Sequence, residues 1–325
     1  MHRVILMPVF NDWQSATLVI QKLDSVLAAK NLAADVLLVD DGSTEPAPTT
    51  FSPACTAIKN IAVLSLRRNL GHQRTIAVGL AYVAEHMTCD QLVIMDCDGE
   101  DAPEDVPKLI AELESAKVPT IVFAERRRRS EGFSFKAGYL FYRALHLVLT
   151  GERVRFGNFS VMPGELVSRL VAVSEIWNHF VAGVIVARLP YTSVPTARAH
   201  RLSGRSQMNL QALIIHGLRA LSVFSDAIGI RMLCCLSVVS LLTLVAIAAV
   251  VFVRFATPMA IPGWASNVVG LLVVCLIQAF TLVVLFLFAV LSSRSMLGMI
   301  PLRDYGYFVR DFRYIHGDKS VSGVS

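Results

Sequence analysis

Two long stretches of this 325-residue chain carry no charged side chain. Residues 232–253 read MLCCLSVVSLLTLVAIAAVVFV, and residues 266–293 read SNVVGLLVVCLIQAFTLVVLFLFAVLSS. A helix rises 1.5 Å per residue, so about 20 apolar residues cross a hydrocarbon layer of about 30 Å. Both stretches reach that length, and core helices of soluble proteins are seldom so long without a charge. They predict two transmembrane helices within 232–293, joined by a short external loop at 254–265. Arg219 and Arg231 precede the pair, and Arg294, Arg303, Arg310, Arg313 and Lys319 follow it, whereas the loop holds only Arg254. Positive charge stays cytoplasmic, so the chain is expected in the cytoplasmic (inner) membrane with both termini in the cytoplasm. The apolar run 4–10 does not read as a signal peptide, because Pro8 interrupts it and Asn11-Asp12 follows.

Hydrophobic residues make up 54 % of the chain and charged residues 17 %. An average soluble domain has about 25 % charged residues. That balance excludes a disordered chain and disfavours an ordinary soluble enzyme. The net charge of +5 suits phosphorylated substrates and anionic lipid; with two spans present, nucleic acid is not an expected partner. Cys55, Cys89, Cys97, Cys234, Cys235 and Cys275 form no CxxC pair. Neither a disulfide framework nor a zinc site is expected, and reduced thiols facing the cytosol fit better.

The first 207 residues alternate between short aliphatic runs and helical patterns. Residues 4–9, 36–40, 61–66, 92–95 and 120–124 read as buried strands. Ala16, Ile20, Leu23 and Leu27 recur at helical spacing, and residues 75–85 and 104–117 also read as helices. This order predicts an α/β domain over 1–207 with a mainly parallel sheet. An amphipathic stretch follows at 208–231, suited either to the membrane interface or to packing on the soluble domain. Residues 294–325 read as a cytoplasmic C-terminal tail.

In parallel sheets of this kind ligands bind beyond the carboxyl ends of the strands. Three of those ends are polar: Pro8-Val9-Phe10-Asn11-Asp12, Asp40-Asp41-Gly42-Ser43 and Asp96-Cys97-Asp98-Gly99-Glu100-Asp101. Each alone reads as a turn. Together they gather carboxylates on one edge, an arrangement that a divalent cation relieves. Asp96 and Asp98 suit Mg²⁺ or Mn²⁺ as hard oxygen ligands, and Glu100 offers a third oxygen. Residues 101–105 read instead as a solvated acidic loop ahead of a helix.

The segments PVFND, VDDGST, RRNLGHQRTIAVGL, MDCDGEDAPED, FGNFSVM and RLSGRS follow in that order, ahead of the two apolar stretches. In this the chain resembles the inverting family 2 glycosyltransferases of GT-A fold, and within them the polyprenyl-phosphate group of dolichol-phosphate mannose synthase and bactoprenol glucosyltransferase. The resemblance implies that Pro8, Phe10, Asn11 and Asp12 line the nucleotide pocket, Asp12 standing where the family usually has Glu. It implies that Asp40 holds the base or ribose, with Asp41 and Gly42 completing the turn. Asn69, Gly71 and His72 would close on the donor. Asp96 and Asp98 would bind the metal, with Glu100 in place of a Gln ligand.

Asn158 stands where the family has an Asp suggested as catalytic base, and Ser160 replaces an Arg. An Asn cannot take a proton. A lipid phosphate needs no base, because the second pKa of a phosphate monoester is about 6 and the nucleophile is already largely ionised. The groups expected to receive it are the positive charges of Arg126, Arg127, Lys136, Arg201 and Arg205 and the hydroxyl of Ser206; Arg201, Gly204, Arg205 and Ser206 match the family's R-x-x-G-x-S segment. Asp98, Asn158 and Arg205 are thus the expected catalytic positions. Trp177 and His179, in an apolar region, read as structural.

The resemblance implies sugar transfer from a nucleotide diphosphate donor, with uridine the commoner base, to undecaprenyl phosphate, with inversion. Two other readings stay open at this point: an inactive membrane-anchored scaffold that binds nucleotide sugar or lipid phosphate, and a transferase with a sugar hydroxyl acceptor. A dinucleotide oxidoreductase is disfavoured, since no GxGxxG follows the first strand. Association into a homo-oligomer is left open.

Overall fold

The computed structural model describes residues 1–51, 54–126, 147–151, 156–197, 199, 201, 210–256, 263–295 and 298–317. In chain order these form β1 (Arg3–Val9), α1 (Trp13–Ala29), β2 (Ala34–Asp40), β3 (Ile58–Leu66), α2 (His72–His86), β4 (Gln91–Ile94), α3 (Val106–Ser115), β5 (Ile121–Arg126) and β6 (Ser160–Pro163). Then come α4 (Gly164–Leu170), α5 (Phe180–Val186), β7 (Tyr191–Thr196), α6 (Leu210–Val223), α7 (Ser225–Ala256), α8 (Trp264–Ser295), α9 (Pro301–Asp304) and β8 (Val309–His316). The chain separates into two compact units, one of Met1–Tyr139, Arg153–Val223 and Gly298–Ser325, the other of Leu140–Glu152 and Phe224–Leu297.

The first unit is built on one eight-stranded sheet of order β7-β5-β6-β4-β1-β2-β3-β8. Its centre is parallel: β1 pairs with β2 and β4, and β2 with β3. β1 and β2 are almost wholly buried apolar runs, as strands covered on both faces require. Successive side chains point to opposite faces. Val4 and Leu6 therefore join Ile76 and Leu80 of α2 in one core, while Ile5, Met7 and Val9 join Ile20 and Leu23 of α1 in the other. Gly79 lets α2 press onto the sheet: a Cβ there would lie 2.7 Å from Leu6 Cδ1 and 2.8 Å from Val39 Cγ2.

All five strands read from the sequence are present, as are the helices between them. β6 and β7 were not legible. β6 is only four residues long, and β7 (YTSVPT) is an edge strand that tolerates Pro195. The C-terminal segment differs most from expectation. Read as a tail, it instead returns to the sheet: β8 pairs antiparallel with β3, from Ile61↔His316 to Leu66↔Val309. β8 (VRDFRYIH) lies on an edge with most side chains half-exposed, so it carries charge that disguises a strand. The expected amphipathic stretch also divides. α6 belongs to the unit with the sheet, where Ala220 and Val223 are buried, and α7 starts at Ser225.

In the second unit α7 and α8 are each 32 residues long. Both are long and apolar enough to cross a membrane, with mean hydropathies of 2.8 and 2.9 and almost nothing buried. They pack on each other where Gly229 faces Phe286; a Cβ would come to 3.1 Å of the ring.

Candidate active site

β1 sits between β2 and β4, and the chain leaves the sheet's centre on both sides of it. Such a switch opens a crevice beyond the carboxyl ends of the strands. The loops after β1, β2 and β4 converge there.

Pro8 is buried inside β1 opposite Val39 and offers the crevice no surface, which corrects its expected pocket-lining role. Phe10 is 38 % exposed and presents an open ring. Asn11 has φ 52, a left-handed conformation that Asn tolerates. Its backbone N–H donates to Ser43 Oγ at 2.9 Å, and its Oδ1 accepts from the N–H of Thr44 and Glu45 at 2.9 and 3.1 Å. Asn11 thus ties the β1 loop to the β2 loop and shapes the pocket from within.

Asp40 and Asp41 are both 4 % exposed. Asp40 Oδ1 accepts from Ser43 N–H at 2.9 Å and closes the turn. Asp41 accepts from Leu70 N–H at 2.7 Å and Gly71 N–H at 3.0 Å, so it anchors the loop that opens α2. Burial pushes its pKa up against those two amides, Thr75 and the nearby His72. Gly42, at φ +69, is obligatory: a Cβ would lie 2.7 Å from Arg68 C.

Beyond β4, Asp96 and Asp98 face different partners. Asp98 Oδ1 turns back to accept from Glu100 N–H at 2.9 Å, while its Oδ2 lies 3.2 Å from Arg201 Nη1. Arg201 Nη2 in turn pairs with Asp12. Arg201, expected at the acceptor phosphate, therefore sits among the carboxylates at the crevice. Burial, then the charge of Asp96, raises the Asp98 pKa; the Glu100 amide lowers it, the Glu100 charge raises it, and Arg201 opposes the rise. Asp101 is not solvated as expected: it is 3 % exposed, and its Oδ2 accepts from Asp96 N–H at 3.0 Å, bracing the turn.

No three Asp, Glu, His or Cys side chains converge on one point among the described residues. The expected trio of Asp96, Asp98 and Glu100 is thus not assembled, because Asp98 is drawn toward the Glu100 amide and Arg201. Two carboxylates still fit a divalent ion. Mg²⁺ is commonly held by one or two carboxylates, with water and substrate phosphate completing the shell.

His72, the first residue of α2, lies 3.3 Å from Asp96 Oδ1 and 2.9 Å from Asn158 Nδ2 through its Nε2. Burial would lower its pKa, but the charge and hydrogen bond of Asp96, with Asp101 and Asp41, raise it overall. The side chain keeps 43 % of its surface accessible. Asn158 Oδ1 also accepts from Gln73 Nε2 at 3.3 Å, and Gln73 Oε1 accepts from Phe180 N–H at 2.7 Å. Gln73 is 2 % exposed and was missed, since a lone Gln in a helix carries no signal. His179 caps α5 by accepting from Ala182 N–H at 3.3 Å, the structural role expected of it.

The backbone of Arg126 ends β5. The Arg126 side chain, Arg127, Lys136, Arg205 and Ser206 lie outside the described residues.

Several known proteins are similar to this chain. An undecaprenyl-phosphate 4-deoxy-4-formamido-L-arabinose transferase of Klebsiella pneumoniae is 24 % identical over 159 residues, 49 % of this chain and 46 % of its own length. A prophage bactoprenol glucosyl transferase homolog of Escherichia coli K12 is 24 % identical over 228 residues, 68 % of this chain and 72 % of its own. The chain therefore spans about half the length of the first relative and about three-quarters of the second. Among solved structures, glucosyl-3-phosphoglycerate synthase of Mycobacterium tuberculosis, in complex with Mn²⁺, uridine diphosphate and phosphoglyceric acid, superposes with a TM-score of 0.50. That match has 18 % identity and covers 70 % of this chain and 78 % of the synthase, a likeness of fold. The family model for glycosyl transferase family 2 matches residues 4–174, from β1 to the turn after α4, which includes the loops at the crevice. The α/β unit is of the GT-A type, and the chain belongs to glycosyl transferase family 2.

Proposed function

We propose that the protein transfers a sugar from a uridine diphosphate donor to a polyprenyl phosphate at a membrane, giving a polyprenyl monophosphate sugar with inverted anomeric configuration. The observation that carries this is that Arg201 joins Asp12, after β1, to Asp98, after β4, beside the β2 turn, in a chain that also has two long apolar helices. The names of both relatives, an undecaprenyl-phosphate sugar transferase and a bactoprenol glucosyl transferase homolog, support the lipid acceptor. Mn²⁺ and uridine diphosphate in the synthase complex support the donor and the metal.

Phe10, Asp12 and the Asp40–Gly42 turn hold the nucleoside. Asp96 and Asp98 hold Mg²⁺ or Mn²⁺, which when bound neutralises the departing diphosphate. The acceptor's ionised phosphate oxygen attacks the anomeric carbon from the face opposite the diphosphate. One C–O bond forms, the bond to the diphosphate breaks, and no proton need be removed. Asn158, which cannot be a base, is then no defect: it orients His72 at the cleft. Arg205, Ser206 and the arginines after β5 complete the acceptor site.

Two membrane crossings suit the sheet. β3 precedes α7 and β8 follows α8, yet the two strands pair. Both must lie on one side of the bilayer, which an even number of crossings allows. Basic flanks favour the cytoplasm for that side.

The test is to incubate the full chain with Mg²⁺ or Mn²⁺, undecaprenyl phosphate and a panel of nucleotide sugars, and to weigh the lipid products. A product heavier by one sugar residue is expected. Release of free sugar without lipid product would refute the reading.

A further inference from the structure

Three arginines gather near the start of α2. Arg74 lies in the first turn, Arg68 in the loop before it, and Arg219 Nη1 stands 3.4 Å from where a Gly71 Cβ would be. Among the described residues none of the three forms an ion pair with a carboxylate. The charges acting on Arg74 are those of Arg219 and Arg68, which together with burial lower its pKa. Like charges so placed repel, and the α2 N-terminus adds positive potential, with no acidic residue in its first turn. Asp41 is engaged by the Leu70 and Gly71 amides. The Arg74 guanidinium lies over the Trp177 ring, 5.6 Å from its centroid, which holds the fork in place.

We infer that Arg68, Arg74 and Arg219 form a subsite for a phosphate monoester carried at the head of a long apolar chain. Phosphate is the anion that guanidinium forks bind in pairs. The lipid source follows from where Arg219 stands. Ser225, the first residue of α7, is only six positions on. Leu218, the residue preceding Arg219, is 60 % exposed and adds apolar surface to the same helix. That this headgroup belongs to the acceptor rests on the transferase reading; the binding itself does not.

The full chain in nonionic micelles is titrated by calorimetry with decyl phosphate, decanol, dihexanoyl phosphatidylglycerol and inorganic phosphate. Decyl phosphate should bind, decanol should not, and the other two should bind at least about tenfold more weakly, lacking either the tail or the dianionic head. Arg74→Gln combined with Arg219→Gln should weaken decyl phosphate by about a hundredfold, through loss of two charge-assisted contacts. The corresponding Lys pair should recover part of this. Uridine diphosphate affinity and the melting midpoint of both pairs should match the parent, which separates lost binding from failed folding. Unchanged decyl phosphate affinity in the Gln pair overturns the site. Equal affinity for inorganic phosphate or for phosphatidylglycerol overturns its assignment to a lipid monoester. If decyl phosphate binds as expected but no donor yields lipid product, the subsite stands and the transferase reading falls.

Discussion

Asn158 points its amide nitrogen at His72 Nε2, 2.9 Å away, and that orientation is set elsewhere. The Phe180 N–H can only donate, so Gln73 must present Oε1 to it and Nε2 to Asn158. Asn158 must then accept through Oδ1, leaving its NH₂ toward His72 Nε2, which accepts from it only while unprotonated and otherwise donates to Asp96. A buried backbone amide in α5 thus decides which atom faces the cleft.

Asn158→Ala should therefore weaken catalysis only mildly, by about two- to tenfold, the worth of one neutral hydrogen bond. Loss of a general base would cost on the order of 10²–10⁴. Polyprenyl phosphate should be glycosylated and the matching polyprenol should not. The rate should fall with acidification as the phosphate gains its second proton near pH ~6. Radiolabelled transfer to both acceptors across pH checks this; equal use of polyprenol would refute the ionised-acceptor mechanism.

For the metal, Asp98→Ala should abolish transfer, since Asp98 is one of the two carboxylates proposed to hold the ion. Glu100→Gln should be tolerated, because the contact seen from Glu100 to Asp98 is made by the Glu100 backbone N–H. Paramagnetic Mn²⁺ titration with uridine diphosphate present supplies a readout independent of turnover. Normal Mn²⁺ binding by Asp98→Ala would remove Asp98 from the site.

How much of this was legible depended on the kind of signal. The central strands and the two apolar helices announce themselves by long uninterrupted burial, and the loop motifs by clustered Asp and Gly. Asp24, Gln73 and Asp101 gave no such signal, because each acts through backbone amides distant in sequence or hidden in a turn. β8 was hidden by its edge position, where alternate charged residues are favoured.

The strand β8 should be indispensable. Ile315 is 6 % exposed within the core on the α1 face, and Tyr305 Oη lies 2.6 Å from His86 Nε2. A stop codon after Arg294 should yield a chain that aggregates or is degraded. Ile315→Ala should cost about 2–4 kcal/mol, read by thermal unfolding in micelles. A stable, active truncated chain would show that the pairing with β3 is dispensable.

The same pairing makes topology testable. A reporter inserted at 257–262 should lie across the membrane from one fused after Ser325, and the latter should be on the side of the N-terminus. Alkaline phosphatase and green fluorescent protein fusions distinguish the two. Both reporters active on one side would mean that α7 and α8 do not span.

Asp24 gives a prediction about pH. Its buried carboxylate accepts from the N–H groups of Thr56, Ala57 and Ile58 at 3.0, 2.8 and 2.8 Å, stapling α1 to the start of β3. Burial alone would raise its pKa, but the Ile58, Thr56 and Ala57 amides and the Thr56 hydroxyl together lower it below 3.8. A carboxyl with a depressed folded pKa stabilises fully above its unfolded pKa of about 3.9. That contribution is lost as pH falls through the lower, folded value. Asp24→Asn places an NH₂ against amide donors and should cost about 3 kcal/mol at pH 7, within the range for removing charged acceptors from buried N–H groups. The gap between wild type and Asp24→Asn in melting midpoint should hold from pH 7 to 5 and narrow below pH ~4. A gap that widens with acid would mean that the carboxyl is protonated in the folded chain, and the staple would then be no anion.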